Sequence, residues 1–235
     1  MGSSVRPLGR PGGRLLAWAA VAGIVGYLAI DIALAFLRPD YALLHNAESD
    51  YGVGPWSWLM DVNFILRGAA SLAVVAAIVR GGAVPPRLRA ALALIVVWAA
   101  ASCCLAFFPD DPAGTAATPS GRIHLLLALI AFLAVAVGTL LAGLALRGDP
   151  FWPGWTTPLL VISALAIIDL LLLGRHKFGV HSDGGLFERI FLGLELLWLL
   201  AVALHIARGR PSPASAASTT PVLPPHPAPE LPPES

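Results

Sequence analysis

The sequence predicts an all-α polytopic membrane protein, a bundle of six transmembrane helices with both termini in the cytoplasm. Three observations carry the fold class. Residues of the apolar set AVILMFWYC make up 57% of the 235 positions, while Asp, Glu, Lys and Arg make up only 12%. A soluble domain carries about 25% charge, so this chain has roughly half of what would coat a globule. The charges also gather in short stretches between apolar runs, six of which approach the ~17–25 residues needed to cross a bilayer. At about 21 residues each the runs consume most of the chain and leave no room for a soluble domain. The bilayer is therefore the first predicted partner. A net charge of +1 without a basic tract gives no sign of nucleic-acid binding.

Residues 1–14 are polar, glycine-rich and basic through Arg6, Arg10 and Arg14, and are expected as a cytoplasmic N-terminal segment. The apolar run 15–37 that follows is longer than the ~7–15 residues of a signal-peptide core, so it predicts a retained first helix. Further helices are expected at 58–79, 90–108, 123–146, 157–173 and 186–207, giving a transmembrane domain over 15–207. Residues 208–235 are mostly Pro, Ser, Ala and Thr. They predict a disordered, proline-rich cytoplasmic tail. With the N-terminus inside, nine arginines fall on the cytoplasmic side, among them Arg80, Arg87 and Arg89. Only Arg38, Arg122, Arg175 and Lys177 fall outside, which satisfies the positive-inside tendency. Fourteen arginines against a single lysine, with abundant Ala and Gly, suggest a bacterial genome rich in GC. The expected location is therefore the bacterial plasma membrane. Cys103 and Cys104 are adjacent, cannot pair without strain, and are expected as small packing residues.

With that orientation Asp31, Asp61, Asn63, His124, Asp169, Glu188 and Arg189 all approach the outer face. Arg67 and Glu195 lie about nine residues into their helices, ~13 Å deep. Charge at that depth is costly unless it is paired or hydrated. Arg67 is accordingly expected to pair with Glu195 or, failing that, Asp61. The whole set predicts an outward-facing polar pocket formed by Asn63, Arg67, Asp110, Thr118, His124, His181, Glu188, Arg189 and Glu195, with a small polar ligand or a lipid headgroup as its occupant. The plainer alternative is that these residues only staple helices together. A second functional alternative is a metal-dependent lipid hydrolase with a divalent cation on Asp110, His124 and His181, since carboxylate and imidazole suit zinc or manganese. No HExxH, HxxxH or GxSxG pattern accompanies it. A small transporter is a third alternative, although no helix shows a Gly or Pro break in its middle. Asp110-Asp111 before Pro112 reads equally as a turn, and Thr118 or Ser120 as the cap of the fourth helix.

Several of these residues fall into recognisable motifs. Phe108-Pro109-Asp110 followed by Thr118-x-x-Gly121-x-x-His124 resembles the central signature of a bacterial membrane family catalogued as domain of unknown function 998. Ser49-Asp50-Tyr51-Gly52-Val53-Gly54-Pro55-Trp56, continuing to Asn63-Phe64 and Gly68, is similar to that family's approach to its second helix. Gly185-Leu186-Phe187-Glu188-Arg189 looks like the start of its sixth. The resemblance covers about residues 15–207. It implies a six-helix integral membrane protein and brings no established reaction. Asp110, Thr118, Gly121, His124, Glu188 and Arg189 occupy its motif positions, while Asp111, Pro112 and the alanine-threonine stretch before Thr118 read as local variation.

Overall fold

A computed structural model describes residues 11–81, 84–112, 114–176, 178 and 182–209. Six α-helices are present among them: α1 Pro11–Leu37, α2 Ser57–Gly81, α3 Pro86–Leu105, α4 Pro119–Ala145, α5 Thr156–Leu173 and α6 Gly184–Arg208. A short 3-10 helix, Glu48–Gly52, lies between α1 and α2. All six α-helices are long and apolar enough to cross a membrane, and no strand occurs among the described residues.

The helices follow the apolar runs in order, with shifts at their ends that have local causes. α3 and α4 each begin about one turn before the apolar run because a proline occupies the first helical turn, where its missing N–H costs nothing. α3 stops at Leu105 although the apolar run continues to 108, because Pro109 disfavours helical geometry at Phe108. α1 starts at Pro11 and α6 ends at Arg208, so Arg14 and Arg208 belong to helices. The remainder of the N-terminal segment, residues 1–10, and the tail from 210 onward lie outside the described residues.

Each helix packs on its sequence neighbours, α6 returns to α1, and α2 also meets α6 across the ring. Short connections between antiparallel neighbours produce this order. The interior is filled by Trp98, Phe191, Trp198, Ile95, Leu159 and Leu199, while Phe36, Leu125 and Leu171 are exposed on the outside, the distribution that lipid rather than water permits. At one end Arg14 Nε donates to the Ala207 carbonyl at 3.0 Å, and the 146–155 turn packs Phe151, Trp152 and Trp155 around His205. Near that turn α4 and α5 touch, since a Cβ on Gly143 would meet Leu160 Cδ2 at 2.9 Å. The opposite end carries the 3-10 helix and the 106–118 loop. Cys103 and Cys104 are free thiols at the close of α3, and Cys104 is exposed rather than packed.

Candidate functional site

The 106–118 loop is held on α4 by a set of short-range clamps. Thr118 is the N-cap of α4: its Oγ1 accepts from Gly121 N at 3.0 Å and donates to Asp111 Oδ1 at 2.9 Å. Asp111 Oδ2 also accepts from Thr118 N at 2.7 Å. A Cβ at position 121 would overlap the Asp111 carboxylate, so the glycine makes room for the anchor. His124, one turn on, donates from Nδ1 to the Phe108 carbonyl at 2.7 Å; a carbonyl only accepts, so Nδ1 carries the proton. Ser120 does not cap; its hydroxyl donates to the Pro109 carbonyl at 3.0 Å. Asp111, which the sequence presented as local variation, is thus the residue that ties the loop to the helix.

A second clamp holds the 38–56 segment on α6. Arg189 Nη1 donates to the carbonyls of Leu43 and Asn46, both at 2.8 Å. A Cβ on Gly185 would overlap the Asn46 carbonyl oxygen, so that backbone can pass only over a glycine. Glu188 Oε2 accepts from Glu48 N at 2.7 Å, and Glu48 Oε1 takes the Tyr27 hydroxyl. At the other end of the segment Arg38 binds Asp40 Oδ2 at 2.8 Å and the Val53 carbonyl at 2.7 Å. Hydrogen bonding to Asp40 raises the Arg38 pKa, and the guanidinium lowers that of Asp40. Burial pushes the Asp50 carboxyl up, partly opposed by Asn46 Nδ2, which donates to it at 2.9 Å. Tyr51 is likewise raised by burial.

Ser49 Oγ donates to Asp110 Oδ2 at 2.5 Å and so joins the two clamps. The same carboxylate oxygen lies 3.7 Å from His124 Nε2. Three stretches far apart in sequence therefore meet, and they meet at a cavity of about 1120 Å³, slightly above the ~300–1000 Å³ typical of small-molecule sites. Glu48, Asp50, Asp110, His124 and Glu188 line its loop end. Leu125, Leu129 and Leu133 of α4 and Ile167 and Leu171 of α5 form its walls. Leu125 is 70% exposed, and Leu129, Leu133 and Leu171 are also exposed. The cavity therefore lies between α4 and α5 above their contact at Gly143, open sideways toward the surface that lipid covers.

Arg67 lines the cavity too, at 2% exposure. The expected pairing with Glu195 or Asp61 does not form: among the described residues no carboxylate stands within 4.0 Å of its guanidinium. Nε donates to Ser102 Oγ at 3.2 Å, and the Trp98, Phe64 and Tyr27 rings lie 4.7, 5.2 and 5.8 Å from Cζ. Cation–π contacts of ~0.5–2 kcal/mol explain how part of the ~2.5–3.5 kcal/mol insertion cost is offset without a carboxylate. Asn63 and Glu195 are buried away from the cavity lining; Asn63 has no side-chain hydrogen-bond partner among the described residues, while the Glu195 carboxyl is beside the Thr139 hydroxyl of α4. Thr118 and Arg189 hold loops rather than line the cavity. His181 lies outside the described residues. Among those described, no group of three or more His, Cys, Asp or Glu side chains is placed to hold a metal; of the expected ligands Asp110 and His124 are neighbours.

These clamps include the motif residues Ser49, Asp110, Thr118, Gly121, His124, Gly185, Glu188 and Arg189, and residues 20–205 match the family described as Protein of unknown function (DUF998). The chain belongs to that family. Comparison with curated proteins and with solved structures gave no match. In this DUF998 protein the motifs have a definite structural meaning. The Thr-Gly-His element and Asp111 seat one loop, the Gly-Glu-Arg element seats another, and Ser49–Asp110 locks them together. Sequence reasoning missed Tyr27, Trp98 and Ser102, which complete the surroundings of Glu48 and Arg67. The available signal was helical spacing: Tyr27 and Asp31 are four residues apart on α1, as are Trp98 and Ser102 on α3.

Proposed function

We propose that this protein binds an amphiphile drawn from the membrane, with the polar head inside the cavity that Arg67, His124, Glu48, Asp110 and Glu188 line and the apolar part between α4 and α5. The observation that carries the reading is the cavity itself. It is polar at the loop end, walled by leucines along its length, and bordered by side chains exposed on the bundle surface. A site for a free, fully water-soluble ligand has no use for a wall open to hydrocarbon. His124 suits a binding role, since with Nδ1 committed to Phe108 its Nε2 is left for Asp110 or for an occupant. The loop end faces the outside of the plasma membrane in this reading, because the arginines gather at the other end.

The test is purification in phosphatidylcholine nanodiscs, followed by thermal unfolding with added single-chain and double-chain lipids. Ala128→Phe, on the α4 wall of the cavity, fills space there without replacing any residue of either clamp. At least one amphiphile should raise the unfolding temperature of the parent by several degrees and leave Ala128→Phe unmoved. Equal stabilisation of both proteins by every amphiphile, or stabilisation of neither, would overturn the reading.

A further inference from the structure

We propose that the occupant carries an oxyanion, a carboxylate or a phosphate, that pairs with Arg67, and that it enters sideways between α4 and α5. This rests on the amphiphile reading above and narrows it to a chemical class. Arg67 sits on α2 at the cavity wall with a single side-chain hydrogen bond, from Nε to Ser102. Beyond the rings of Trp98, Phe64 and Tyr27 that face the guanidinium, its Nη1 and Nη2 make no hydrogen bond among the described residues, and no carboxylate of those residues lies within ion-pair reach. A guanidinium is permanently charged and presents five N–H donors. A buried charge within a membrane span calls for a counter-charge, and the acids that line the cavity are engaged elsewhere. Glu48 holds the Tyr27 hydroxyl, Glu188 holds the Glu48 amide and Asp110 holds Ser49. The free edge of Arg67 is a fork that matches two oxygens of one anion.

The same geometry argues for the lateral route. The loop end of the cavity carries Glu48, Asp50, Asp110, Asp111 and Glu188 against the two arginines Arg122 and Arg175, an excess of acids that is a barrier to a free anion arriving from water. Approach through the hydrocarbon avoids that barrier. Phe132 of α4 stacks toward Trp98, and Trp98 toward Arg67. The guanidinium therefore stands level with the middle of the α4 wall, where Leu129 and Leu133 meet the outside. An acyl chain on an anion bound to Arg67 can leave through that gap.

The experiment measures binding of oleate, dodecyl phosphate, oleyl alcohol and dodecylamine to the full chain in phosphatidylcholine nanodiscs. Oleate or dodecyl phosphate should bind at least about tenfold more tightly than oleyl alcohol, and dodecylamine more weakly still. Whichever of the first two binds better names the head as carboxylate or phosphate. Arg67→Gln, which keeps a donor for Ser102, should remove the preference, and Arg67→Lys should restore only part of it. The four ligands compared on the parent test the idea even if a variant fails to fold. Oleyl alcohol or dodecylamine binding as tightly as both anions would overturn the oxyanion proposal and leave the amphiphile reading standing. Absence of binding by all four would overturn both.

Discussion

Gly185 and Gly121 are both glycine because another segment occupies the space of a side chain, but their neighbours differ in kind. At Gly185 the obstruction is backbone, the carbonyls of Asn46 and Leu43, and backbone held by Arg189 cannot step aside. At Gly121 it is the Asp111 carboxylate, which can rotate away at the loss of its bonds to Thr118. Gly185→Ala should therefore cost ~2–3 kcal/mol or more in unfolding, against ~1–2 kcal/mol for Gly121→Ala. In an Asp111→Ala background Gly121→Ala should cost almost nothing; an undiminished cost there would contradict the clash. Asp50 gives a pH signature. Burial raises its carboxyl above the ordinary value, so its favourable contribution is complete only below the unfolded value, ~3.9, and is lost as pH rises through the folded one. Asp50→Asn keeps an acceptor for Asn46 and should melt higher than the parent at pH 7.5, the gain shrinking toward pH 4. A variant that melts lower at pH 7.5 would refute this.

The start of α4 does two jobs at once, ending the loop and placing His124. Thr118 supplies the cap and the anchor for Asp111 through one hydroxyl. Thr118→Ala should destabilise by ~1–2 kcal/mol, and Thr118→Ser should recover most of that. If the serine variant unfolds as early as the alanine variant, the hydroxyl is not the source of the effect. Arg67 belongs to α2 in a different sense: α2 makes its cavity wall from Met60, Phe64 and Arg67, one helical stripe of three- and four-residue steps. Asn63 of α2 and Glu195 of α6 are buried without lining the cavity.

For the molecule as a whole the arginine distribution argues a direction in the membrane. Arg14, Arg80, Arg87, Arg89, Arg147 and Arg208 fall at the ends opposite the 3-10 helix in the helix order. With Cys103 and Cys104 changed to alanine, a cysteine at exposed Ala116 should react with an impermeant maleimide on intact cells. One at exposed Pro153 should react only after the membrane is opened. The opposite labelling pattern would place the mouth of the cavity in the cytoplasm.

The number, order and approximate limits of the helices were legible in the sequence, because crossing a bilayer demands a long apolar run with its backbone bonds internal. The motif residues were legible as well, as polar side chains grouped near one end of the spans. What each touches was not. Arg67 and Glu195 lie at similar depth, and sequence spacing made them natural partners, yet the rotation of α2 and α6 decides that one faces a cavity and the other a helix interface. Asp111 looked dispensable until the fold of the loop laid it over Gly121. The opening between α4 and α5 has no sequence mark, since leucines facing lipid and leucines facing a cavity are the same residues. Hydropathy along the chain sets which segments enter the membrane; only the packing of the helices against one another sets which polar groups find a partner and which face the cavity without one.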